Sequence, residues 1–152
     1  MIEFRPITKE NYMECIFLKT SAVQRSFVAD NAQSIIESFF EEGLFTRAIY
    51  DDDQMVGFLL YDYDVSIPGW SLSRFMIGEE FQGKGIGKRA LQGFLEYCKT
   101  ELKLDTVYLS VSVENKAAYG LFRSIGFEDV QPIQYFFNGI EFREIQMVKR
   151  LG

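Results

Sequence analysis

Histidine is absent from all 152 residues. Its absence removes the commonest general base near neutral pH and the commonest ligand of transition metals. Cysteine is nearly absent: Cys15 and Cys98 stand far apart without Cys-x-x-Cys spacing, which argues against a disulfide framework or a thiolate metal cluster. Both are read as reduced residues, and no metal is expected. No apolar run approaches the roughly 18 residues of a membrane span. Met1-Ile2-Glu3-Phe4-Arg5 lacks the layout of a signal peptide, so the expected location is the cytoplasm, with no membrane partner. Positive charge is in the minority: 16 Lys and Arg face 22 Asp and Glu, for a net charge of −6, and no dense basic run occurs. That composition argues against a nucleic-acid surface. It suits a cationic partner, or only keeps a small domain soluble.

What is present is apolar and aromatic mass, 47% hydrophobic and 16% aromatic. This suffices for one substantial core, and the length is too short to expect two. A single domain over residues 1–152 is expected, without repeats or linkers.

The most informative stretch is Gln82-Gly83-Lys84-Gly85-Ile86-Gly87-Lys88. Before it, Trp70 to Ile77 is aromatic and apolar enough for a strand. After it, Ile86, Ala90, Leu91, Phe94, Leu95, Cys98 and Leu102 recur at helical spacing. Glycines let backbone N–H groups turn toward one point, and the first helical turn adds unpaired donors and the positive end of the macrodipole. Lys84 and Lys88 add full charges, so a phosphate or pyrophosphate is the natural ligand.

Spacing separates the phosphate-binding templates. Gly78 to Gly83-Lys84 has P-loop spacing, but Gly85 stands where a hydroxyl must follow. A dinucleotide fingerprint starting at Gly83 and Gly85 needs a glycine where Lys88 stands. The pattern that fits is Gln/Arg-x-x-Gly-x-Gly/Ala, read as Gln82, Gly85 and Gly87. A second pattern, Asn-x-x-Ala-x-x-Leu-Tyr-x-x-x-Gly-Phe, is matched by Asn115, Ala118, Leu121, Gly126 and Phe127 behind a strand-like Thr106 to Val111. In these two motifs the chain resembles the GNAT family of N-acetyltransferases.

The coarse order of elements agrees. A strand from Ile2 to Ile7 is followed by a helix through Tyr12, Ile16 and Phe17, with Thr8 as N-cap. A second helix runs from Asn31 or Ala32 to Glu42, with Ile35, Ile36, Phe39 and Phe40 as its apolar stripe and Gly43 as its stop. Strands follow at Leu44 to Tyr50, Met55 to Tyr63 and Trp70 to Ile77, joined by the Asp51-Asp52-Asp53 turn and the Asp64 to Gly69 loop. After the Gly-rich helix come a strand at 106–112, a helix from Asn115 to Ile125, and a hairpin of Gln134 to Phe137, Asn138-Gly139 and Glu141 to Val148. The fold class is therefore α/β (α+β), with the resemblance implying a mixed, mainly antiparallel sheet flanked by helices and splayed at an acetyl-CoA site.

The resemblance also implies roles. The backbone of Phe75, Met76 and Ile77 would pair with the pantetheine arm. Gln82, Gly83, Lys84, Gly85, Ile86, Gly87 and Lys88 would hold the pyrophosphate. Asn115, Tyr119 and Phe122 would meet the cofactor from the second motif. The chain departs from the pattern at Phe122, where the family usually has the Tyr that protonates the leaving thiolate. Tyr119, three residues earlier on nearly the same helix face, is the candidate replacement, or it only packs there.

The acceptor amine must lose a proton before attack. Candidate carboxylates are Glu37, Glu41 and Glu42 on the second helix and Asp62 and Asp64 on the third strand and its loop; Ser73, where some relatives carry an acid, suggests a route through water. The run Phe27 to Ser34, Trp70 and the C-terminal hairpin resemble the bacterial spermine/spermidine and diamine acetyltransferases of the family. The expectation is direct acetyl transfer in a ternary complex to a polyamine, or else to another small amine such as an aminoglycoside or amino-acid derivative. A non-catalytic acetyl-CoA sensor is the other class. A homodimer through the hairpin is a further expectation.

Overall fold

The computed structural model describes residues 1–19 and 30–152. Phe27, Val28 and Ala29 of the acceptor-side run lie outside the described residues. Seven strands form one sheet in the order β1-β2-β3-β4-β5-β7-β6. They are β1 (Ile2–Arg5), β2 (Leu44–Asp51), β3 (Gln54–Asp64), β4 (Gly69–Ile77), β5 (Thr106–Ser112), β6 (Glu128–Phe137) and β7 (Ile140–Arg150). Among the described residues four α-helices join them: α1 (Tyr12–Phe17), α2 (Asn31–Phe40), α3 (Ile86–Thr100) and α4 (Lys116–Ile125). A short 3-10 turn, Glu79–Phe81, precedes the Gly-rich loop. The pairings are antiparallel except β4 with β5.

Each face of the sheet has its own core. Leu91, Phe94 and Ala90 of α3 and Phe122 of α4 pack with Ile49, Leu59, Leu72, Ile77, Leu109 and Met147 on one face. Cys15 of α1 and Ile35 of α2 pack with Ala48, Phe58, Leu60 and Met76 on the other. Strand alternation explains the division: along β4, Phe75 and Ile77 contribute to the α3 face and Met76 to the α2 face.

Several boundaries depart from the sequence expectation. The first strand stops at Arg5, because Pro6 has no N–H to offer the ladder. Thr8 does not cap α1. The N-cap is Asn11, without a side-chain cap bond, while Asn11 Oδ1 accepts from the Thr8 N–H at 2.8 Å. In α2 the cap is Asp30, whose carboxylate accepts from Gln33 N at 2.7 Å, and the helix ends at Phe40 rather than Glu42. Its buried face is Asn31, Ser34 and Ile35; Ile36, Phe39 and Phe40 of the expected stripe are 57%, 80% and 85% exposed. Asn31 wins the inward position through hydrogen bonds, donating from Nδ2 to the Cys15 carbonyl at 2.8 Å. The last strand pair is longer than expected, with β6 starting at Glu128. The Asn138-Gly139 turn is present, with both residues at positive φ, as a tight hairpin demands.

Cys15 and Cys98 are 0% and 1% exposed, and burial pushes both thiols up to about 12. The folded protein should therefore leave a chromogenic thiol reagent unreacted near neutral pH, and the denatured chain should react at both cysteines. Among the described residues no helix is long and apolar enough to cross a membrane.

Candidate active site

Where β4 meets β5 the sheet comes apart. Among the described residues Ser71 and Tyr108 are the one pair in register, although β4 runs on to Ile77 and β5 to Ser112. The cause is local. On the β3 side, Leu60 pairs with Arg74 but Tyr61 pairs with Leu72, so Ser73 is an extra residue on β4. A bulge of this kind bends its strand and breaks the ladder.

The open edge has defined chemistry. Gly78 N donates to Val56 O at 2.8 Å, which makes Val56 and Gly78 a bonded pair. Alternation then makes Gly57–Ile77 and Leu59–Phe75 non-bonded pairs, with their N–H and C=O groups turned away from each other. Phe75 and Ile77 therefore present backbone to the split, while Met76 turns its backbone to β3. Gln82 Nε2 donates to the Ile77 carbonyl at 2.8 Å, so Ile77 offers its N–H to the split beside that of Phe75.

Beside this edge lies a cavity of about 220 Å³ lined by Phe75, Met76, Ile77, Gln82, Gly83, Gly87, Asn115, Ala118 and Phe122 among others. Its mouth is the start of α3. Gly83 and Gly85 both have φ of 77°, a left-handed conformation that a side chain would resist. Gly85 is the N-cap and offers no side-chain bond to the first turn, which has no acidic residue. The first N–H groups of α3, at Ile86, Gly87 and Lys88, are thus left for an anion. Lys84 and Lys88 are exposed beside it.

A second cavity, of about 510 Å³, opens on the α2 face. Gln33 and Glu37 come from α2, Ser73 and Arg74 from β4, Ser110 and Ser112 from β5, and Tyr135, Phe137, Phe142 and Glu144 from the last hairpin. Phe75, Asn115, Ala118 and Phe122 line both cavities, so the two meet in the split between β4 and β5.

The sequence candidates are sorted by this geometry. Asn115 both caps α4, accepting from Ala118 N at 3.2 Å, and lines the meeting point. Phe122 is there too, 8% exposed and edge-to-face with Phe127. Tyr119 is not: its hydroxyl donates to Asp129 on β6 at 2.9 and 3.0 Å, and the residue lines neither cavity. The hydrogen bond to that carboxylate, then burial, raise the Tyr119 phenol above its ordinary range, which further weakens it as an acid. Three residues along an α-helix turn a side chain by about 300°, and here the remaining offset carries Tyr119 to the Asp129 side.

Of the acidic candidates, Glu37 alone reaches the larger cavity, where it accepts from Gln33 Nε2 at 3.0 Å. Asp62 accepts from the Ser73 hydroxyl, and Asp64 is spent on the Ser66 N–H and hydroxyl. Glu41 and Glu42 lie beyond the end of α2 and do not line the cavity. The residue that sequence reasoning missed is Glu144. Burial holds its carboxyl above the usual range, while a hydrogen bond from Tyr135 and the charge of Arg74 pull it back. Its signal was alternation along β7, which puts Glu144 on the same face as Phe142 and the buried Gln146.

The family model for the GNAT acetyltransferases matches residues 8–127. The chain belongs to the GNAT family. It is therefore an N-acetyltransferase by family, and enzymes of this family use acetyl-CoA. This acetyltransferase is 29% identical over 160 residues, covering 99% of each chain, to the spermine/spermidine N(1)-acetyltransferase of Bacillus subtilis strain 168. It is 34% identical over 70 residues, or 46% of this chain and 37% of the other, to the N-alpha-acetyltransferase RimI of Mycobacterium tuberculosis. Its fold matches the crystal structure of spermidine N-acetyltransferase from Vibrio cholerae in complex with CoA and spermine, with a TM-score of 0.76 at 19% identity over 99% of this chain and 95% of that one. The residues present fit the cofactor: the uncapped, acid-free start of α3 suits a pyrophosphate, and the unpaired edge of β4 suits an amide-bearing arm. Among the described residues no group of three His, Cys, Asp or Glu could hold a metal ion.

Proposed function

We propose that this acetyltransferase moves an acetyl group from acetyl-CoA directly to a primary amine of a polyamine such as spermidine or spermine, with both substrates bound at once. The observation that carries the reading is the junction of the two cavities at Phe75, Asn115, Ala118 and Phe122. A donor in the smaller cavity and an acceptor in the larger reach one another through the split without an acyl-enzyme relay. The pantetheine arm adds to the open edge of β4 as a strand would, and the pyrophosphate sits on the α3 N-terminus. The Ile77 N–H is placed to polarise the thioester carbonyl.

The polyamine preference rests on the larger cavity and on the named relatives. Glu37 and Glu144 line it with carboxylates, and Tyr135, Phe137 and Phe142 give aromatic surface for cation–π contact. A second reading has its own observation: Arg74 also lines this cavity, with its Nε buried and unpartnered among the described residues. That guanidinium would suit an amine that also carries a carboxylate, such as an amino-acid derivative. CoA-thiol release with acetyl-CoA and spermidine, spermine, putrescine, an aminoglycoside or amino acids decides between them. Preferential release with the polyamines supports the proposal; preferential release with amino acids favours the second reading.

Catalysis here proceeds without a tyrosine at the leaving sulfur. Phe122 has no proton to give, and CoA, with a thiol of pKa roughly 8.5 by comparison with Cys, departs as thiolate and is protonated afterwards. Tyr119→Phe is accordingly expected to change kcat by less than about 3-fold, well under the 100-fold or more typical of removing a general acid. A steady-state comparison with wild type checks this, and a loss of about 100-fold would return Tyr119 to the proton-donor role.

A further inference from the structure

We propose that Glu144 is the carboxylate that takes the proton from the acceptor ammonium, and that Tyr135 positions it. The inference rests on the amine-acetylation reading above and deepens it by naming the base. Glu144 lies on β7 in register with Ser112 of β5 and Ile133 of β6, on the face that forms the larger cavity. Tyr135 reaches diagonally across the hairpin and donates its hydroxyl to Glu144 Oε2 at 3.2 Å. The Tyr135 ring, 42% exposed, stacks on Phe142 with centroids 5.1 Å apart and planes 11° apart. Tyr135, Phe142 and Glu144 all line the cavity that meets the cofactor side at Phe75 and Phe122.

The groups that bear on Glu144 can be named from each side. Tyr135 comes from β6, Arg74 from β4, and Glu37 faces the same cavity from α2. Glu37 is already engaged by Gln33. Burial makes Glu144 a stronger base than a solvated carboxylate. Glu144 is half-buried, and an arriving ammonium would join Tyr135 and Arg74 around its carboxylate.

The ammonium gives one proton to Glu144, which later passes it to solvent. The freed nitrogen lone pair attacks the thioester carbonyl carbon. As the tetrahedral adduct collapses the C–S bond breaks, its pair leaves on sulfur, and the second proton shed by nitrogen ends on that sulfur as CoA thiol.

The test is the pH dependence of kcat/KM for wild type, Glu144→Gln and Tyr135→Phe, with spermidine and with a weakly basic fluorinated amine that is largely neutral at assay pH. Glu144→Gln should lose about 100-fold or more with spermidine, the scale of a lost general base, together with the acid limb of the profile. Its loss with the fluorinated amine should be about 10-fold smaller, because that amine arrives deprotonated. Tyr135→Phe should move the acid limb upward, since the lost hydrogen bond favoured the ionised carboxylate. A wild-type-like Glu144→Gln, or equal losses with both amines, overturns the base role; an unmoved limb in Tyr135→Phe overturns the positioning role. If wild type acetylates no amine, the underlying reading falls with the proposal. If wild type is active and Glu144→Gln is unimpaired, the proposal alone falls.

Discussion

Gly87→Asp is expected to weaken acetyl-CoA binding by at least about 100-fold while leaving the protein as stable as wild type or more so. Gly87 lies in the first turn of α3 and lines the smaller cavity. A Cβ there would stand 3.6 Å from Ile77 Cγ1 and 3.9 Å from Leu121 Cδ2, so the fold has room for it. The new carboxylate would complement the helix macrodipole, worth roughly 0.3–1 kcal/mol, and would replace a poor helix former. The same charge would face the pyrophosphate. Like charges about 5 Å apart at an effective dielectric near 20 repel by roughly 3 kcal/mol. The opposed signs make the test specific, since a damaged fold would lose stability and binding together. Gly87→Asn supplies the isosteric control and should bind within about 10-fold of wild type, because it lacks the charge. Isothermal titration with acetyl-CoA reads both. Unchanged affinity in Gly87→Asp would remove the pyrophosphate from this loop.

Gly57→Ala should give the largest loss of stability from a single methyl group. Gly57 pairs with Ile77 at the end of β4, and its Cβ would lie 2.9 Å from Ile77 Cδ1 and closer still to the Met76 backbone oxygen. Ile77 Cδ1 can swing aside. The Met76 carbonyl belongs to the β3–β4 ladder and cannot move without opening it. Overpacking against backbone at this point should cost about 3 kcal/mol, or a fall in Tm of roughly 6–12 °C for a chain of this size. Because the strain acts on the strand that presents the Ile77 N–H, KM for acetyl-CoA should rise as well. A Tm within about 2 °C of wild type would mean the strands separate freely here.

The parts of the fold that the sequence disclosed are those whose chemistry is local. The Gly-rich turn was legible because positive φ at Gly83 and Gly85 and the helix start at Ile86 depend on a handful of adjacent residues. The Asn138-Gly139 hairpin was legible for the same reason. What stayed hidden depends on residues distant in sequence. The inward face of α2 was misread because Ile36, Phe39 and Phe40 are more apolar than Asn31, yet Asn31 finds buried partners in Cys15 and Met76. The first half of β6 was missed because Pro132 and its polar neighbours describe an edge strand, exposed at every position but Ile133.

The site divides in the same way. The bulge at Ser73, which opens the sheet, shows itself only in the register between β3 and β4. Glu144 acquires its environment from Tyr135 and Arg74, one on the next strand and one across the sheet. Tyr119 illustrates the limit of helical-wheel reasoning. Its neighbour in spacing, Phe122, sits at the junction of the cavities, whereas Asp129 draws the Tyr119 hydroxyl to the outer side.

The central claim is direct transfer between two cavities that meet through the split sheet. Its most direct test is to mix the protein with acetyl-CoA alone, and then with spermidine added, following CoA thiol and protein mass together. The buried cysteines keep the thiol readout free of background from the folded protein. The account predicts no CoA release and no acetylated protein before amine is added, then one CoA released per N-acetylspermidine formed. Stoichiometric CoA release with acetyl-CoA alone and an acetylated protein would contradict it, and binding of acetyl-CoA with no amine-dependent release would leave a sensor in place of an enzyme.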